Sequence, residues 1–96
     1  MKIEIKKFGT ILISRQSGKE ALAAFESSLK NIREEEEVII DFDGVITFSP
    51  SWGDEFLTSL AKRYGDKFKL MSTDNPSVIA TIEILEETNN FKFNRI

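Results

Sequence analysis

Apolar and polar positions alternate from Lys2 to Lys6, which predicts a half-buried strand. Phe8-Gly9-Thr10 reads as a turn and Ile11-Leu12-Ile13 as a second short strand, giving an N-terminal hairpin at the sheet edge. Ser17 with Glu20 three residues on forms a capping box, and Leu22, Phe25, Leu29 and Ile32 then recur at helical spacing. The acids from Glu34 onward oppose the negative end of a helix dipole, so this helix is expected to stop near Asn31. The run Glu34 to Glu37 reads as a solvated loop. Val38-Ile39-Ile40 is continuously apolar and β-branched, the pattern of a central strand covered on both faces.

After a turn at Asp43-Gly44, Ile46 to Phe48 delivers the chain to a second helix with Ser49 as cap and Pro50 at its first position. Ser51 with Asp54 is an alternative capping box. Trp52, Phe56, Leu60 and Tyr64 fall four apart, backed by Leu57 and Ala61, and Gly65 supplies a left-handed stop. Phe68 to Met71 predicts another strand. Asn75-Pro76 caps a third helix carrying Val78, Ile79, Ile82 and Leu85, which Asn89-Asn90 ends. The tail Phe91 to Ile96 alternates and predicts an edge strand. Strands and helices in alternation imply a single α/β domain over residues 1–96, a mixed four- to five-stranded sheet with about three helices packed against it.

Composition narrows the chemistry. Cysteine and histidine are both absent, which excludes disulfides, thiolate catalysis, cysteine zinc sites and a Ser-His-Asp hydrolase. A net charge of −3 with scattered Lys and Arg argues against nucleic acid as partner. No apolar run approaches the roughly 20 residues of a membrane span, and Met1 to Ile5 does not read as a signal peptide. A cytoplasmic domain, bacterial in style and without cofactor or metal, is expected.

Two chemistries compete for the stretch Val38 to Phe56. Asp41 and Asp43 stand two apart at a strand end, where paired carboxylates can hold Mg²⁺ and leave one as nucleophile and one as acid. DFDGVIT is similar, over about seven residues, to the first motif of haloacid dehalogenase-type phosphatases. That resemblance implies attack by Asp41, protonation of the leaving group by Asp43, and Ser72 or Thr73 in the place of the second motif. The family opens with this motif, however, whereas a strand pair and a helix precede it here, and Asp66 and Asp74 match its later acidic pair poorly. The plainer alternative is a tight turn at Asp43-Gly44 with Asp41 capping local amides.

The other chemistry is a phosphate at Ser49-Pro50-Ser51, where free helix amides and the dipole favour negative charge; capping alone would also explain both serines. VIIDFDGVITFSPSWGDEFLTSLAKRYG, with FGTILISRQSGKEAL upstream, resembles the STAS-like domain family (the DUF4325 type), relatives of the anti-sigma-factor antagonists, over most of residues 8 to 86. The resemblance implies a STAS-like fold and a non-enzymatic regulatory or protein-binding module. Antagonists carry Asp-Ser-Ser-Gly in this loop and are phosphorylated on the second serine, which falls on Ser51; Ser49 then replaces the Asp and Trp52 the Gly. The implied partner is a histidine-kinase-type ATPase acting as serine kinase. The expected partner-binding residues are Ser49, Ser51, Trp52, Asp54 and Glu55, with Asp43 and Gly44 beside them. Trp52 fits either the core or an exposed interface anchor, and Arg15 and Lys19 read as solvated cations.

Overall fold

The computed structural model describes residues 1–96. Its elements run β1 (Lys2–Glu4), β2 (Ile11–Leu12), α1 (Arg15–Leu29), β3 (Val38–Asp41), β4 (Thr47–Phe48), α2 (50–64), β5 (Phe68–Leu70), α3 (Pro76–Asn89) and β6 (Asn94–Arg95). The architecture is the expected α/β one, with three helices packed against a four-stranded sheet ordered β1-β3-β5-β6. The tail joins it as expected, through β6 on β5.

The N-terminal hairpin does not form. β1 pairs with β3, while β2 pairs with β4 in a separate two-stranded sheet. The cause is local: Ile5–Phe8 coils into a 3₁₀ turn, and Gly9 at φ 129° redirects the chain out of the main sheet. All ladders are parallel, so the mixed strand directions expected from a hairpin do not occur. Parallel strands need crossovers, and the helices supply them.

Twenty-one buried apolar side chains form one cluster between the main sheet and the helices. β3 contributes Val38 and Ile40 but leaves Ile39 only half-buried. The expected cover on both faces is therefore corrected: Ile39 sits in register between Lys2 and Lys69, on the face away from the core. There the long lysine stems are the neighbours in place of a helix. The acidic run that follows α1 is exposed yet tied down. Glu36 meets the Met1 amine at 2.9 Å, Lys69 pairs with Glu37, and Lys67 donates to the Glu34 carbonyl.

Helix ends follow their caps. α1 starts at Arg15 because Ser14, not Ser17, is the cap: its Oγ accepts the Ser17 N–H at 3.0 Å. Ser49 and Asn75 cap the other two helices as expected, and Asn90 in the left-handed conformation ends α3. α2 is continuous but widens to a π-helical turn over Asp54–Thr58. Its aromatic positions recur every four residues, more than the 3.6 of an α-helix turn, and the wider turn absorbs the excess. Trp52, Phe56, Leu57 and Leu60 are thereby all fully buried. No helix is long and apolar enough to cross a membrane.

Candidate functional site

The loop from β3 to α2 is built by short-range hydrogen bonds. Asp41 Oδ1 accepts the Asp43 N–H at 3.0 Å, and Gly44 takes φ 85° to turn the chain. A β-carbon on Gly44 would meet only the flexible Lys6 side chain, at 3.0 Å from Cδ, so it is the positive φ that favours glycine here. Asn75 then reaches across from α3, donating through Nδ2 to the Val45 carbonyl at 2.7 Å and to that of Ile46 at 3.2 Å. One residue thus caps its own helix and anchors the loop.

At the start of α2 the two serines part company. Ser49 Oγ accepts the Trp52 N–H at 3.2 Å and donates to the Ile13 carbonyl at 2.6 Å, so its proton and an acceptor site are both engaged. Ser51, half-buried one turn position further on, has a hydroxyl with no hydrogen bond within the chain. Trp52 is corrected from a partner contact to a core residue. It is 0% exposed and stacks on Phe56, ring centroids 5.1 Å apart, with Phe48 and Phe8 on its flanks. A ring sealed this way cannot touch a partner without unfolding the helix start.

Asp54 and Glu55 do not stand free. Arg15, the first residue of α1, holds Asp54 Oδ2 at 3.0 Å and Glu55 Oε1 at 2.9 Å. The two carboxylates hold the guanidinium proton more tightly than usual, the Glu55 hydrogen bond contributing most. Arg15 was expected to be solvated. It is 53% exposed and also bridges two helix starts across about forty residues of sequence, a partnership without any local signal. Asp43 sits apart from this group: it is 84% exposed and its nearest ion partner is Lys6 at 3.9 Å. The site residues thus form one cluster at the start of α2 and a separate turn at Asp43-Gly44.

The phosphatase alternative finds little support. Asp41, whose pKa is lowered chiefly by the Asp43 N–H and then by Lys2 at 3.4 Å, acts as a turn cap. Ser72 donates to the Ile96 carbonyl and Thr73 accepts the Asn75 N–H, so both serve the backbone. No group of three acidic side chains is placed to hold a metal ion. A groove of about 570 Å³ does exist, lined by Glu83, Glu86, Glu87, Asn90, Phe91 and Lys92, but none of the residues above reaches it.

A family model described as a STAS-like domain of unknown function (DUF4325) matches residues 24–78, which include β3, β4, α2 and β5 complete. No curated protein and no solved structure matches the chain.

Proposed function

The chain belongs to the STAS-like domain family, and on that premise we propose that it is a non-enzymatic regulatory module that binds another protein through the start of α2. Phosphorylation of Ser51 would switch that binding. The observation that carries this is the division of labour between the serines: Ser49 is spent on capping, while Ser51 has a hydroxyl free to accept a phosphoryl group.

Ser51 stands in the first turn of α2, where the helix dipole favours an anion. A phosphate would add about two negative charges beside Asp54 and Glu55, whose own two charges Arg15 offsets only by half. It would change the surface seen by a partner while leaving the buried ring of Trp52 and the Ser49 cap in place. The partner we infer is a histidine-kinase-type ATPase acting as serine kinase, in the cytoplasm, transferring the γ-phosphoryl group of ATP to Ser51 Oγ.

A pull-down from the native host with wild-type and Ser51→Asp baits, read by mass spectrometry, tests the switch. A partner that holds one form and releases the other is the expected result. Intact-mass measurement of the native protein accompanies it. A partner indifferent to the substitution, with no phosphorylated mass under any growth condition, would remove Ser51 from the proposal.

A further inference from the structure

Arg15 makes both of its ion pairs through one nitrogen. Nη1 donates to Asp54 Oδ2 at 3.0 Å and to Glu55 Oε1 at 2.9 Å, while Nη2 and Nε make no hydrogen bond within the chain. A guanidinium carries its N–H donors in a planar fork, so most of this one is unused. Two acids against one base also leave one negative charge without a partner.

Ser51 lies between those two acids. Pro50 to Asp54 is α-helical, with the Asp54 N–H donating to the Pro50 carbonyl. At about 100° per residue, Asp54 and Glu55 fall on either side of Ser51, one turn further along α2. α1 packs on this flank. The Ile13 carbonyl accepts from Ser49 Oγ, and a β-carbon on Gly18 would touch Trp52 and Glu55, so Arg15 leaves α1 at the level of Ser51. α3 packs on the opposite flank, where a β-carbon on Gly53 would meet Leu85 and Thr81. The charged groups facing Ser51 are therefore Arg15 and the exposed Lys19 of α1, with Asp54 and Glu55 of α2 itself.

A phosphate on Ser51 would stand beside the guanidinium with the stronger claim on it. It carries about two charges where each carboxylate carries one. Its oxygens can take two parallel N–H bonds from the fork, whereas the two acids now share a single nitrogen. We propose that Arg15 is the phosphate clamp of this site: on phosphorylation of Ser51 the guanidinium turns to the phosphate and releases Asp54 and Glu55 to solvent. The inference rests on the Ser51 reading above and names its internal receptor and its output. The tie between the starts of α1 and α2 is kept, with phosphate in place of the acids. What changes is the surface, where two carboxylates that were paired become free to meet a partner.

The probe is the full chain with phosphoserine installed at position 51 during synthesis, so the measurement does not depend on a kinase. Phosphorus NMR follows the second ionisation of the phosphate, ordinarily near pH 6. Loss of a neighbouring cation disfavours the dianion, so Arg15→Gln should raise that pKa by about half a pH unit or more, a value discounted for a site open to solvent. Nitrogen-15 spectra supply a second reading that needs no substitution and stands even if Arg15→Gln damages the fold. The Arg15 Nε and Nη signals should move when Ser51 is replaced by phosphoserine, and the carboxylate carbons of Asp54 and Glu55 should shift with them. A phosphate pKa unchanged by Arg15→Gln in a folded protein, or Arg15 signals that stay in place, would each overturn the clamp. A phosphorylated mass in the native host with an indifferent Arg15 would keep the switch and remove the clamp. A clamp on the installed phosphate with no phosphorylated native mass would confirm the chemistry and retire the switch.

Discussion

A β-carbon added to Gly18 would stand 2.8 Å from the carbonyl oxygen of Trp52 and 3.0 Å from its Cα. α1 therefore lies directly on the backbone of α2 at the point where the candidate site begins. In an open helix Gly→Ala gains up to about 1 kcal/mol. Here the obstacle is main chain and cannot swing aside, so overpacking should reverse the sign, costing about 1–3 kcal/mol. Gly18→Ala is expected to lower the denaturation midpoint; an unchanged or raised midpoint would show that the two helices are less tightly apposed.

The serines of α2 should separate in a stability measurement. Ser49→Ala removes a cap and a tie to β2, an expected cost of about 0.5–2 kcal/mol. Ser51→Ala removes no bond and should stay within about 0.5 kcal/mol of wild type. Urea titrations of the two variants side by side check this, and equal losses would contradict the assignment of Ser49 as the sole cap.

Trp52 is the only tryptophan, and its ring is sealed. Its fluorescence should be blue-shifted in the folded protein and inaccessible to iodide, whether or not a partner is bound. Trp52→Ala should cost about 3–5 kcal/mol through the cavity it leaves. Trp52→Phe should cost less, since it keeps a ring on Phe56 and deletes an indole N–H that has no hydrogen-bond partner.

Glu86 is the lock of the C-terminal tail. Its carboxylate is 5% exposed, accepts the Phe93 N–H at 2.9 Å and holds Arg95 at 3.0 Å, with Lys92 at 3.7 Å. Burial pushes its pKa up, but the Phe93 amide and Arg95 together more than offset this and leave it below the ordinary value. A lowered folded pKa means the added stability is complete above the unfolded value of about 4.3 and is lost as pH falls through the folded one. Glu86→Gln should melt below wild type at neutral pH, with the gap closing in acid. Its Phe93 and Ile96 amides should exchange faster throughout.

Local chemistry was legible without a structure. Ser49-Pro50 and Asn75-Pro76 announce helix starts because a cap needs only its own next three residues. Asn90 and Gly65 mark helix ends by the positive φ that few residues tolerate. Val38 to Ile40 declares a strand by its β-branching. Ser14 and Ser17 show the limit of such rules, since both satisfy the composition of a cap and only the bond from Ser17 N–H to Ser14 Oγ separates them.

What the order of residues determined by itself was therefore the set of elements, their approximate ends, and the family pattern running from α1 into α3. The tertiary structure alone decided which strands meet, and with that the character of the site. Ile11 to Ile13 read as the second strand of a hairpin, and only the packed chain shows Gly9 sending β2 to β4 instead. Trp52 suited core and interface alike until Phe8, Phe48 and Phe56 enclosed it. Arg15 had no partner until the start of α1 was laid against that of α2. Caps and turns are contacts within a few residues and are written in composition. Burial, ion pairing and open edges depend on residues brought together from about forty positions apart, and only the packed chain defines them.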